Sequence, residues 1–189
     1  MILMWGALGS KSHALERSLD MKEWSSLQPE ELQENAFSLI GKEWLLITAK
    51  NGDKANTMTA AWGGIGILWG KPVAYIFIRP QRYTKEFVDA SEHLSLSFLG
   101  AGYRQELGYL GKVSGRDEDK ITKSGLTLAE VDGIPCFEEA RLVLLGRKLY
   151  RQELKPECFV DQEQIPKWYQ EKDYHTMYVM EIEKVLRGY

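Results

Sequence analysis

The sequence predicts a mainly β fold: an antiparallel β-barrel, closed or split, with short helices on its outside. Three observations predict it. Apolar or alternating runs of strand length recur along the 189 residues and are separated by glycine and asparagine turn signals. An Asn-Gly pair stands between the first two runs, the strongest short hairpin signal. No strand–glycine loop–helix unit of the doubly wound type is present. The stretch "GGIGILWG" (63–70) comes near G-x-G-x-x-G, but Trp69 stands three positions after Gly66. A strand-like run follows it, where a dinucleotide fingerprint needs a helix.

Taken in order, "SLQPEELQENAFSLIGK" opens as a helix, with Pro29 in its first turn, Glu30 and Glu31 at its positive end and Gly41 as its stop. "EWLLITA" (43–49) is a strand, and "KNGDK" turns it back. "TMTAAWGGIGILWG" reads as one second strand, with glycines that mark bulges or close backbone approach. "KPVAYIFIRP" is a third. It sets Val73, Tyr75, Phe77 and Arg79 on one face and Ala74, Ile76 and Ile78 on the other. "TKEFVDASEHL" is a short helix with Thr84 as its N-cap. "LSLSF" is a strand, "RQELGYLGKV" a helix broken at Gly111, and "SGRDEDKITKSG" a polar loop with a helical turn. "ARLVLLGRKLYRQEL" (140–154) is a long strand bent at Gly146. "DQEQIPKWYQE" is a loop or short helix, and "HTMYVMEIEKVLRGY" closes with a strand. Residues 29–189 form one domain. Residues 1–28 read as a leader that need not belong to the fold, with Met21 an alternative start. The apolar first residues lack the positive charge that precedes the apolar run of a signal peptide.

Composition narrows the function. The net charge is −3 and no long basic run occurs, which argues against nucleic acid as a partner. The two cysteines, Cys136 and Cys158, form no C-x-x-C pair. The three histidines lie far apart with no metal-ligand spacing. No run reaches transmembrane length. These features suit a reducing, cytoplasmic protein without a metal centre or membrane anchor.

Three segments carry possible chemistry. In "RPQRYTKEF", Arg79, Arg82 and Thr84 precede or open a helix whose first N–H groups would face an anion. The same residues also fit a capped surface helix with two solvated arginines. In "ANTMTAAW", Asn56, Met58, Ala60 and Trp62 share one face and Thr57, Thr59 and Ala61 the other. Such a strand can wall a flat heteroaromatic ring, or can be half-buried with threonines chosen for β-propensity. In "SGRDEDK", Ser114, Gly115 and Lys120 offer a hydroxyl, a permissive backbone and a cation, or a solvated loop. His175 opens the last strand as a structural residue or a ligand-facing donor.

In this order, "NTMTAAW", "KPVAYIFIRPQRYT", "GKVSGRDEDKITKSGLTL" and "HTMYVMEIEKV" resemble the flavin reductase-like family, whose members form an FMN-binding split β-barrel. The resemblance is greatest to its flavoredoxin-type branch. It implies a homodimer with one FMN per subunit near the interface, and NADH or NADPH as a candidate electron donor. It implies that Asn56, Thr57, Met58, Thr59 and Trp62 line the isoalloxazine. Arg79, Arg82, Tyr83 and Thr84 would sit at the phosphate, Ser114, Gly115 and Lys120 in the loop closing over the cofactor, and His175 near the flavin. No side chain is implied as nucleophile or general base, and no metal. Asp173-Tyr174 stands where many relatives have Gly-Asp, and Met180 where they often have glycine. These departures bear on how nicotinamide would dock and leave FMN itself implied by the resemblance. The alternatives are an FMN-binding electron carrier without NAD(P)H activity and a non-catalytic split-barrel ligand-binding module.

Overall fold

The computed structural model describes residues 23–188. The expectations for a signal peptide and for a start at Met21 lie outside them. Strand β1 (Trp24–Leu27) leads into a one-turn 3-10 segment, Pro29–Glu31, and α1 (Ala36–Ser38) runs on into a π turn, Leu39–Glu43. Ten strands and five α-helices are then complete with β2 (Leu45–Asn51), β3 (Lys54–Ala60), β4 (Gly63–Leu68), β5 (Lys71–Ile78), α2 (Thr84–Ala90), β6 (His93–Phe98), α3 (Arg104–Lys112), α4 (Lys120–Ser124), β7 (Leu128–Val131), β8 (Ile134–Phe137), β9 (Leu142–Glu153), α5 (Gln164–Trp168) and β10 (Thr176–Gly188). Among the described residues no helix is long and apolar enough to cross a membrane.

The main sheet runs β3-β2-β6-β9-β10-β5-β4, with β1 added to β10. Its pairings are all antiparallel. Strand alternation turns Leu45 and Ile47, Ala74, Ile76 and Ile78, and Leu94 and Leu96 into a single buried cluster. Residues from strands along nearly the whole order meet there, so the sheet curls around its own core. Each fully buried Leu or Ile contributes about 1.5–3 kcal/mol. Helix α2 adds Phe87 and Val88 to the same cluster. The outer face is covered separately. Leu107 and Leu110 of α3 and Phe137 of the β7–β8 hairpin pack on Leu46, Val143 and Leu145.

The strands at the two ends of the order, β3 and β4, do not pair with each other, so the barrel is split. Yet only Ala61 and Trp62 separate them in the chain. The two edges of the sheet must therefore meet at Ala61–Trp62, and the split opens beside that corner. This corrects the reading of Thr57–Gly70 as one bulged strand. Of its glycines, Gly63 serves close backbone approach: a Cβ there would stand 2.6 Å from the Tyr75 carbonyl oxygen.

Other elements differ in detail from the sequence reading. The first helix is two short pieces, because the Gln28 N–H is taken by the Glu31 carboxylate at 2.7 Å and Asn35 caps a new start, accepting from Ser38 N–H at 3.1 Å. The Asn51 hairpin slips by one residue. Asn51 pairs with Lys54 and Gly52, at φ 59°, takes the first central position of the turn, the type II′ pattern. Helix α3 runs through Gly111 and ends at Val113. The β7–β8 hairpin was not read from the sequence, although Asp132-Gly133, both at positive φ, is the signal of a type I′ turn. Strand β1 lies within the segment 1–28 set apart as a leader, yet it pairs with β10 from Trp24↔Gly188 to Leu27↔Val185. Arg141 ties the following segment down, with bonds to Glu34 at 3.0 Å and to Glu43 at 2.7 Å.

Candidate functional site

A cleft of about 210 Å³ opens at the corner where the sheet edges meet. Met58, Thr59, Trp62, Arg79, Arg82 and His175 line it, together with Phe77 and Trp168. Strand β3 ends the strand order, so the main-chain groups on its outer edge pair with no other strand. A row of such groups can bond the edge of an extended or planar ligand. A second cavity of about 530 Å³ is lined by Lys54, Asn56, Tyr83, Gly115, Lys120 and Leu126 among others.

The β3 side chains divide as alternation requires. Asn56 is buried and donates from Nδ2 to Thr84 Oγ1 at 3.0 Å. A Cβ at Gly115 would overlap the Asn56 amide oxygen and sit 3.3 Å from the Tyr83 ring, so glycine there lets the 114–120 loop lie on both. Met58 belongs to the barrel core. On the opposite face, the Thr57 hydroxyl donates to Ile47 O at 3.1 Å and lies 2.9 Å from Thr48 Oγ1. Thr59 donates to Leu107 O of α3 at 2.6 Å. The Thr57 hydroxyl is thus turned away from the cleft, and the residue is fully buried. Ser114 accepts the Arg116 N–H at 3.2 Å.

Thr84 is not a helix cap. The N-cap position is Tyr83, in αR conformation without a side-chain cap bond. The first N–H groups are already taken, Lys85 by Arg82 O at 2.9 Å and Glu86 by Tyr83 O at 3.1 Å. The first N–H groups of α2 are therefore not free for the expected anion, and the cations gather elsewhere. The end of α3 presents carbonyls that no later turn satisfies. Arg82 donates from Nη1 to Gly111 O at 2.6 Å, and Lys120 from Nζ to Leu110 O at 2.9 Å and Val113 O at 3.0 Å. The helix end draws the two cations together. Lys120 is only 4 % exposed, and burial, with Arg82 beside it, lowers its pKa to about 8. Burial and Arg79 lower that of Arg82 as well. No carboxylate among the described residues balances either cation, and each keeps N–H donors without a protein acceptor.

Arg79 has another task. Its guanidinium pairs with Asp173 and donates to Trp168 O at 2.9 Å, stapling α5 over the cleft. The Trp168 ring meets Trp62 edge-on with centroids 4.9 Å apart, and the His175 ring lies 5.2 Å from Trp62. His175 Nδ1 is 2.9 Å from the Tyr169 hydroxyl. Trp168 and Tyr169 were missed in the sequence, although "KWYQEKDYH" concentrates aromatic residues just before the last strand. Of the two departures from the family pattern, Asp173-Tyr174 shapes this wall, since Asp173 holds Arg79 and Tyr174 stacks on Tyr169 at 4.9 Å. Met180 is fully buried in the core and does not face the cleft.

Burial, reinforced by Arg79, lowers the His175 pKa from 6.5 to about 4, with Asp173 pulling the other way. The unfolded chain takes up this proton below pH 6.5 and the folded one only near pH 4. Stability contributed by the neutral ring is therefore complete above pH 6.5 and is lost as pH falls from 6.5 to 4. The loss is up to about 3 kcal/mol. Urea unfolding across that range is expected to show the slope in the native sequence and a flatter one in His175→Gln.

These residues fit FMN by the chemistry of their donors. The cleft has a strand edge for a ring's polar rim, apolar and aromatic walls from Met58, Trp62 and Phe77, and Arg82 at its side; Lys120, which lines the second cavity, meets Arg82 at the end of α3, and the two uncompensated cations suit a phosphate. Its volume falls below the roughly 300–1,000 Å³ of most small-molecule sites, so the cleft alone does not enclose the group.

The family model of the flavin reductase like domain matches residues 37–187. A search of curated protein sequences gives no match. Among solved structures, the FMN-binding domain of a flavin reductases-like enzyme from Shewanella baltica OS155 is 16 % identical, with TM-score 0.65 over 88 % of this chain and 78 % of that one. Flavoredoxin from Methanosarcina acetivorans is 23 % identical, with TM-score 0.58 over 76 % and 67 %. The NADH:FAD oxidoreductase of Streptomyces globisporus C-1027, solved with NAD and FAD fragments, is 16 % identical, with TM-score 0.57 over 77 % and 74 %. At these identities the structures show a common fold, the split barrel. The family match covers most of the chain, and the protein belongs to the flavin reductase-like domain family.

Proposed function

We propose that the protein is an FMN-binding oxidoreductase of the flavoredoxin type, which takes electrons from NADH, NADPH or another donor and passes them to an acceptor. The observation that carries this reading is the pair of half-buried Arg82 and buried Lys120 at the end of α3, with no carboxylate among the described residues to balance them. A cation pair drawn out of water in this way is stabilised by an anion, and a phosphate monoester supplies the charge and the acceptors.

Bound FMN supplies the hydride and electron chemistry. The chain's own residues bind, orient and exclude. The outer edge of β3 bonds the polar rim of the ring. Arg82 and Lys120 hold the phosphate, while Arg79, engaged by Asp173, fixes the α5 segment instead. Met58, Trp62 and Phe77 keep water from the ring, and His175 stays neutral at physiological pH. A homodimer in which a second copy completes the wall of the cleft belongs to the same reading, as the family resemblance implies.

Anaerobic addition of NADH or NADPH to the FMN-loaded protein tests the donor. Bleaching of the flavin absorbance at catalytic rates is expected. An unchanged spectrum with both, followed by bleaching with dithionite, would leave an electron carrier and exclude the reductase.

A further inference from the structure

Tyr169 and His175 form a pair whose geometry goes beyond the packing of the α5 wall. Tyr169 is 6 % exposed and His175 7 %. Among the described residues the Tyr169 hydroxyl has one hydrogen-bond partner, His175 Nδ1 at 2.9 Å. A phenol proton buried without an acceptor is costly, and Nδ1 is the acceptor within reach. The hydroxyl therefore donates, and Nδ1 carries the lone pair. A neutral imidazole that accepts at Nδ1 bears its proton on Nε2. Nε2 has no protein partner among the described residues, and His175 lines the cleft beside Trp62.

The partner is itself held in place. The Tyr169 ring stacks on Tyr174 and meets Phe159 at 5.7 Å. Arg79, bonded to the neighbouring Trp168 carbonyl, lies 5.4 Å over the Tyr169 ring. The hydroxyl is thus fixed by packing on both sides rather than by the bond it makes to histidine.

We infer that Tyr169 is a positioning residue: by donating to His175 Nδ1 it fixes the tautomer that presents Nε2–H to an acceptor atom on a flat ring in the cleft, on the flavin or on its electron donor. The inference rests on the flavin reading for the ligand, but not for the tautomer. Trp62 and Trp168 give the cleft aromatic walls that suit a planar group, and Nε2–H reads a ring nitrogen or carbonyl oxygen on it.

Long-range proton–nitrogen NMR of the 15N-labelled full chain at neutral pH reads the tautomer directly, with His175 assigned by its loss in His175→Gln. The native protein is expected to show protonated Nε2 and bare Nδ1. Tyr169→Phe keeps the ring stack and is expected to give a mixture of tautomers. Protonated Nδ1 in the native protein, or an unchanged tautomer in Tyr169→Phe, would overturn the inference. If Tyr169→Phe does not fold, the native spectrum alone decides.

FMN is then added, followed by NAD+. The Nε2 proton is expected to move downfield with one of the two, and the step at which it moves identifies the ring. No movement at either step, with flavin fluorescence showing FMN bound, overturns the ligand contact. Failure of FMN to bind sinks the proposed function and the contact together, while the tautomer result still decides the Tyr169–His175 pairing.

Discussion

Replacing Arg82 and Lys120 together by methionine is expected to lower FMN affinity far more than riboflavin affinity. Each charge-assisted hydrogen bond contributes about 1.5–3 kcal/mol. Loss of both amounts to roughly 3–6 kcal/mol, a factor of about 10² to 10⁴ in affinity. Riboflavin lacks the phosphate, so its affinity isolates the ring's share. The comparison also separates binding from folding. Arg82 and Lys120 cap the end of α3 through Leu110, Gly111 and Val113, and a variant that merely loosens α3 would lose both ligands alike. Fluorescence titration with the two flavins checks the outcome. The account expects a native preference for FMN that collapses in the double variant.

Gly146→Ala is the second large effect. Gly146 sits in β9 opposite Ile182, beside a register shift between Ile182 and Lys184. A Cβ there would overlap the Glu181 carbonyl oxygen and stand 3.0 Å from Met180 Cγ. The obstacle is backbone of the neighbouring strand, which cannot step aside as a side chain can. The β9–β10 pairing is the longest in the sheet and holds both halves of the barrel. A loss of about 3 kcal/mol or more is expected, read as a fall in the urea midpoint with unchanged slope. Gly41, which has no atom within 4 Å of a Cβ, supplies the control: Gly41→Ala should shift the midpoint far less.

Much of the fold was legible because period-two burial is a local signal. Alternation in "KPVAYIFI" gave β5 and its faces correctly, and Gly146 was read as the bend of β9 from its place in a long apolar run. The break at Ala61–Trp62 was not legible. Nothing within "TMTAAWGGIGILWG" separates a bulged strand from two strands at opposite ends of the sheet, since the distinction lies in which strands each half pairs with. Thr84 misled for a related reason. Threonine before a helical run is a sound cap signal, but here its hydroxyl is taken by Asn56 from β3, a contact twenty-eight residues away in sequence.

The site was legible as a set of segments and not as an arrangement. "NTMTAAW" and "RPQRYT" do meet, but Arg79 and Arg82 take different roles because Asp173 lies beside only one of them. Lys120 was marked as a loop cation, whereas burial against the end of α3 is what gives it an uncompensated charge. Trp168, at the cleft, and Tyr169, behind His175, come from more than eighty residues beyond Arg79 and Arg82. Only the β9–β10 connection, folded back over the split, brings them there.

Equilibrium titration of the full chain with FMN, followed by flavin fluorescence and the visible spectrum, tests the central claim most directly. The account predicts one FMN bound per chain, with riboflavin bound markedly more weakly. No binding of FMN, or equal binding of the two flavins, would contradict it.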